Sequence, residues 1–190
     1  MTASQSSKLL ASLFEHIDEE QRLTVLHIGP ALPETVDFFS SFRCKLYFVD
    51  LFSELPIIET EDDGPTLEQT FRDLLQLQQD VKFDICLFWD VFNFLDSAAI
   101  AAFLGVLRPH LHSGSVAHGF AVHNLRSPQR DQLYGIKRLD SFNIRSRATA
   151  LPGYAPHTQG KLKTMLNCFK FDRSVLLSDS RLELLFSAKL

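Results

Sequence analysis

Four short apolar runs dominate the sequence, and most are followed by a segment with helical periodicity. "LTVLHIG" (23–29), "KLYFVDL" (45–51), "FDICLFW" (83–89) and "SVAHGFAV" (115–122) carry many β-branched and aromatic residues. Runs of this kind read as strands covered on both faces. Between them, Val36, Phe38, Phe39 and Phe42 step along a helix near 34–42. Thr66 opens another helix, with Gln69 three residues on in capping-box spacing and Leu67, Phe71, Leu74 and Leu75 on its apolar face. Asp96 or Ser97 caps a further helix, and Pro109 stops it. Repeated strand–helix–strand units close into a parallel sheet wrapped by helices.

The last part of the chain changes period. "FKFDRSVLLS" and "RLELLFSAKL" flank Asp179-Ser180, and Leu182, Leu184, Phe186 and Ala188 alternate strictly. This is a hairpin with one buried face, adding an antiparallel strand to the sheet. A helix near 158–166 precedes it. Ser127 and Pro128 have the pattern of an N-cap and first helical position of a short helix. Residues 140–157, with Pro152, Gly153 and Pro156, read as irregular.

A chain of 190 residues suits one domain with one core, spanning 1–190. The expected N-terminal element, over 1–21, is a helix with Leu9, Leu10, Leu13, Phe14 and Ile17 on one face. The same segment lacks a charged-then-apolar secretion pattern, and no apolar run approaches the roughly 18 residues that cross a bilayer. The expectation is a cytoplasmic protein without membrane contact. Cys44, Cys86 and Cys168 form no pair motif, and Cys44 and Cys86, in or beside apolar runs, read as buried inert thiols.

Layout and local motifs together resemble the class I S-adenosylmethionine-dependent methyltransferases over about residues 22–190. In that family the sheet is parallel except for a last strand inserted by a C-terminal hairpin. "VLHIGPA" lies where the family's first strand delivers a glycine loop, and "YFVDL" places Asp50 at the end of the second strand, 21 positions after Gly29. "FDICLFWDVFNFLD", a helix, and "LRPHLHSGSVAHGF" match the fourth strand, fourth helix and fifth strand. The implied fold is α/β, a Rossmann-like methyltransferase fold with a mostly parallel sheet, helices on both faces and a C-terminal antiparallel hairpin. The implied cofactor is S-adenosylmethionine, at the carboxyl ends of the strands. Its candidate contacts are Gly29, Pro30 and Ala31 of the loop, Asp50 and Leu51 after the second strand, and Asp90 after the fourth. Asp50 would accept hydrogen bonds from two ribose hydroxyls. Trp89, Phe92 and Phe94 crowd the same end as an aromatic wall or as core.

The loop departs from the family. Where the pattern is acid-x-Gly-x-Gly-x-Gly, this chain reads His27, Ile28, Gly29, Pro30, Ala31, Leu32, Pro33. A neutral imidazole holds an ammonium group poorly. Pro30 and Pro33 have no N–H to donate. Two functions stand side by side: methyl transfer to an unknown acceptor, and a catalytically inactive methyltransferase-fold binding or regulatory protein.

Charge is uneven. Residues 1–100 hold eighteen acids and six bases, whereas 126–173 hold ten bases against three acids. That segment is a candidate surface for an acidic protein partner, or a set of charges that neutralise the acidic half by packing against it. The net charge of −4 argues against nucleic-acid binding by the whole domain. His110-x-His112 lacks the further ligands of a zinc site, so no metal is expected. His123 is a candidate general base or a surface-loop histidine. No Gly-x-Ser-x-Gly elbow or P-loop is present.

Overall fold

A computed structural model of the chain describes residues 2–18, 20–61 and 63–190. The N-terminal segment corrects the expected helix over 1–21. It forms a strand, β1 (Thr2–Ser6), and one 3-10 turn at Leu10–Phe14. The apolar stripe still buries Leu9, Leu10 and Leu13. A helix does not form over residues 2–6 because their backbone is committed to a strand ladder with residues 141–145. The Ser7 hydroxyl and the Lys8 and Leu9 N–H groups donate to the carboxylate of Glu183, the last two over 2.8 and 3.2 Å.

The parallel units follow. They are β2 (Leu23–Ile28), α1 (Pro33–Phe39), β3 (Cys44–Val49), α2 (Leu67–Leu75), β4 (Phe83–Trp89), α3 (Ser97–Leu107) and β5 (Leu111–Val122). Thr66 and Gln69 form the reciprocal capping box, and the Asp96 carboxylate caps α3 through the Ala99 N–H. α1 ends earlier than its periodicity suggests. The hydroxyls of Ser40 and Ser41 donate back to the carbonyls of Asp37 and Phe38, at 2.6 and 2.9 Å, which competes with continued helix. β5 starts earlier than expected. Leu111 pairs with Phe83 and Val116 with Ile85, so the residues between them bulge out of the ladder. His112 Nε2 is 3.0 Å from Asp84, and the Ser115 hydroxyl donates to the Phe83 carbonyl over 2.6 Å, which fixes the bulge.

Two strands were not expected: β6 (Gln132–Arg138), which follows the short helix expected at Ser127, and β7 (Ser141–Ser146), inside the stretch 140–157 expected to be irregular. With β1 they form a three-stranded antiparallel sheet in the order β1-β7-β6. The short helix expected at Ser127 does not form. The Asn124 side chain accepts from the Arg126 N–H over 2.9 Å and its carbonyl accepts from Ser127, so an Asx turn takes the backbone groups that a helix would use. The chain ends with α4 (Gln159–Met165), β8 (Phe169–Leu176) and β9 (Arg181–Ala188).

The main sheet has the order β3-β2-β4-β5-β9-β8. β2, β3, β4 and β5 pair in parallel, and β9 inserts antiparallel between β5 and β8. The chain runs from β2 outward to β3 and returns on the other side at β4. The reversal of strand order therefore falls between the carboxyl ends of β2 and β4, where open α/β sheets form a crevice. β9 is buried on both faces rather than one. Arg181 and Glu183, which alternate with its leucines, are 4% and 0% exposed because the N-terminal segment and the small sheet cover them. No helix among the described residues is long and apolar enough to cross a membrane.

The core is aromatic around Phe88, whose ring lies 5.1 Å from Phe92, 5.9 Å from Phe103 and 5.6 Å from Phe169. It joins β4, α3 and the C-terminal hairpin. Phe88→Ala is expected to cost about 3–5 kcal/mol of unfolding free energy, against about 1 kcal/mol for Thr66→Ala at the cap of α2. Urea denaturation of both variants measures the difference, and equal losses would place Phe88 outside the cooperative core.

Candidate functional site

The crevice at the switch point begins with β2. His27 is buried near its end, and Gly29 follows with φ +132°, a conformation that a side chain would strain. The Gly29 N–H donates to the Val49 carbonyl over 2.7 Å, which ties the end of β2 to that of β3. Trp89 closes β4 at φ +52°, an unusual conformation for a bulky residue and a source of local strain of about 1–3 kcal/mol. Its indole N–H donates to His27 Nε2 over 3.2 Å. Burial lowers the His27 pKa to about 4, so the imidazole is neutral.

The small sheet lies over this end. The Tyr134 ring of β6 stacks on Trp89, with centroids 5.3 Å apart and planes 9° apart, and Phe142 of β7 meets Trp89 edge-on at 5.5 Å. The Tyr134 hydroxyl donates to Asp90 over 3.2 Å and accepts from Arg181 over 2.9 Å. Arg181 also pairs with Asp179 at 2.8 Å, donates to Gln5 of β1, and lies 4.8 Å from the centre of the Phe120 ring. α1 holds the other flank. Thr35 Oγ1 accepts from the Ile136 N–H over 3.0 Å, and Glu34 pairs with Arg145 at 2.7 Å. β6 approaches α1 closely here: a Cβ on Gly135 would come within 2.6 Å of Glu34 Cγ.

Arg147 completes the closure. Its guanidinium lies 4.6 Å from the centre of the Phe52 ring and its Nε donates to the Gln132 carbonyl over 3.2 Å. Burial lowers its pKa, and the charges of Asp50, Asp90 and Asp131 oppose that shift. The space left among His27, Gly29, Pro30, Phe52, Trp89, Tyr134 and Arg147 is about 10 Å³. That is roughly the room of one water molecule, far below the roughly 300 Å³ of a small-molecule site. A surface hollow of about 360 Å³ adjoins it, lined by Phe52, Leu133, Arg147 and residues 148–152. Arg147 therefore stands between the hollow and the crevice.

The six cofactor candidates fall in different places. Gly29 and Pro30 line the crevice. Asp50 follows β3 and faces the charge of Arg147, and Asp90 is buried against Tyr134. Leu51 is fully buried in the core, and Ala31 is exposed. Tyr134 and Arg181 were not singled out from sequence, and Arg147 only as part of the basic segment, although "QLYGIKR" and "SFNIRS" around Leu139-Asp140 carry hairpin alternation. Within the basic segment, Arg145 and Arg147 face acids of the first half, while Lys161, Lys163, Lys170 and Arg173 remain exposed on α4 and β8. His118 faces Glu183 at 2.9 Å and His110 faces the Val81 carbonyl at 2.8 Å. His123 is exposed. Among the described residues no group of three metal-ligating side chains converges.

Comparison with known proteins sets this geometry in context. No family model matches the sequence, and no curated protein does. Solved structures match over 95% of the chain. A 1,6-didemethyltoxoflavin-N1-methyltransferase from Burkholderia thailandensis, with bound 1,6-didemethyltoxoflavin and S-adenosylhomocysteine, aligns at 14% identity and TM-score 0.55, over 76% of its own length. The fold is that of the class I S-adenosylmethionine-dependent methyltransferases. A SAM-dependent methyltransferase from Aquifex aeolicus aligns at 10% identity and TM-score 0.51, over 89% of its length. The PH0226 protein from Pyrococcus horikoshii does so at 10% identity and TM-score 0.53, over 88%. This fold thus holds S-adenosylhomocysteine in the Burkholderia enzyme. In the present chain, with the small sheet over it, the crevice at the switch point has about 10 Å³ of open space.

The closure leaves polar atoms unsatisfied. His27 Nδ1, Asp50 Oδ1 and Asp90 Oδ1 are buried without a hydrogen-bond partner in the protein, each costing about 1–3 kcal/mol. Burial raises the Asp90 pKa from 3.8 to about 6, with Tyr134 and Arg181 opposing the shift. An acid with a raised pKa loses its contribution to stability as pH climbs from about 4 to about 6. His27 has the opposite sign: its pKa falls from 6.5 to about 4, so stability is gained over that rise and lost as pH falls. Asp90→Asn removes one slope and leaves the other. Its urea midpoint is expected to climb with pH between 4 and 6.5 more steeply than that of the wild type, and to exceed it at pH 7. Parallel curves for the two proteins would mean that Asp90 is not a strained buried acid.

Proposed function

We propose that this methyltransferase-fold protein acts, in its capped state, as a binding or regulatory protein rather than as a methyl-transfer enzyme. The observation that supports the reading is the stacked Trp89–Tyr134 pair under the small sheet, which leaves about 10 Å³ at the switch point. The loop chemistry agrees with it. His27 is a neutral imidazole engaged by Trp89, Pro30 offers no N–H, and Asp50 faces the protein's own Arg147. The surface offered to a partner is α4 and the edge strand β8, where Lys161, Lys163, Lys170 and Arg173 favour an acidic protein.

A second reading keeps methyl transfer to an unknown acceptor. The three unpartnered atoms of His27, Asp50 and Asp90 favour it, because these residues lie at the carboxyl ends of β2, β3 and β4, where open α/β sheets take their ligands. If the small sheet moved away, Gly29 and Asp50 would be the residues to hold S-adenosylmethionine, which supplies an already activated methyl group. This chain would contribute binding and orientation.

Titration calorimetry with S-adenosylmethionine and S-adenosylhomocysteine separates the two. The wild type is expected to give no heat at millimolar ligand, and the double variant Tyr134→Ala, Arg147→Ala to bind S-adenosylhomocysteine below millimolar. Binding by the wild type that weakens at least tenfold in Asp50→Asn would reject the first reading in favour of the second.

A further inference from the structure

The small sheet reaches over the crevice through its edge strand β6, with Phe142 of β7 beside it, and its opposite edge is β1 of the N-terminal segment. β1 buries little: Thr2, Ala3, Ser4 and Ser6 are exposed. It is therefore held by its backbone ladder to β7 and by polar contacts rather than by apolar burial. Those contacts converge on two buried charged residues of β9. Arg181 takes Gln5. The Glu183 carboxylate takes the Ser7 hydroxyl, the Lys8 N–H, the Leu9 N–H and His118 Nε2, the last at 2.9 Å. Ser7 also donates its N–H to the Asp140 carbonyl at the β6–β7 turn over 2.7 Å. Beyond Leu9 the segment is rooted in the core by Leu9, Leu10 and Leu13.

We propose that residues 2–8 are a releasable latch, with Glu183 as its catch, and that the latch keeps the β6–β7 hairpin closed over the crevice. This rests on the reading that the small sheet closes the crevice. The parts differ in how firmly they are held. The latch has polar anchors and exposed side chains, whereas its root and the sheet beneath are apolar and fully buried. Segments of the first kind open locally while the rest of a protein stays folded. The closed state also holds what an opening would relieve, namely the left-handed Trp89 and the unpartnered atoms of His27, Asp50 and Asp90. Release of the latch strips β7 of one of its two neighbours, leaving the hairpin held by α1, by Trp89, and by the packing of Tyr134 and Phe142 on Phe120 and His118.

Amide hydrogen exchange on the full-length chain tests this without any ligand. Lys8→Pro removes one donor to Glu183, Ser7→Ala removes another, and Glu183→Gln weakens the catch itself. Exchange at Gln132–Ser146 is expected to speed up at least tenfold in Lys8→Pro and less in Ser7→Ala, with Phe83–Trp89 still protected. Unchanged protection of Gln132–Ser146 in both variants overturns the latch, as does an equal loss of protection across Phe83–Trp89, which would make the segment part of the core. Calorimetry with S-adenosylhomocysteine on the same variants keeps the two ideas separable. Binding by the wild type would undo the closed-crevice reading, while the exchange pattern alone decides the latch.

Discussion

The indole of Trp89 is the joint on which the two sheets meet. One edge donates to His27 on β2, one face carries Tyr134 from β6, and Phe142 from β7 packs against it edge-on. Its left-handed backbone places the ring there rather than along the strand. Removing this contact in thought separates the small sheet from the large one at the point where α/β sheets take their ligands. The sheet itself would remain, because its core lies on the far side of Phe88 and in α3.

Buried charge makes the same joint specific. Tyr134 sits between Asp90 and Arg181, so one hydroxyl links the end of β4 to the middle of the C-terminal hairpin. Charged groups of this kind are tolerated in the interior when each finds a partner. Arg181 finds Asp179, Gln5 and two aromatic faces, and Glu183 finds four donors. The lopsided distribution of charge along the chain is explained in part by the same packing. Arg145 comes from the basic stretch to meet Glu34, and Arg147 lies within the electrostatic reach of Asp50 and Asp90.

The main sheet was legible because its strands and helices differ in period and because their order resembles one family. Runs such as "FDICLFW" are apolar at every position but Asp84, and a strand covered on both faces needs such a run. The small sheet was not legible because the alternation of β6 and β7 is mixed with charges: Lys137, Arg138, Arg145 and Arg147 read as a basic surface, while Tyr134, Ile136, Phe142 and Ile144 are buried. The N-terminal segment failed differently. Its apolar spacing suits a helix, but three of its polar groups reach Glu183, 174 to 176 residues away in sequence, and no local pattern signals that contact.

Sequence alone determined the layers of this protein: parallel strands wrapped by helices, an antiparallel hairpin at the end, one glycine after the first parallel strand and an acid after the next. These follow from periodicity and turn chemistry, which act over a few residues. Only the tertiary structure decided whether the place those residues point to is open. That outcome depends on side chains brought together from β1, β4, β6, β7 and β9, chiefly Trp89, Tyr134, Arg147 and Glu183. Filling a space depends on which groups meet across it, and a linear pattern does not carry that information.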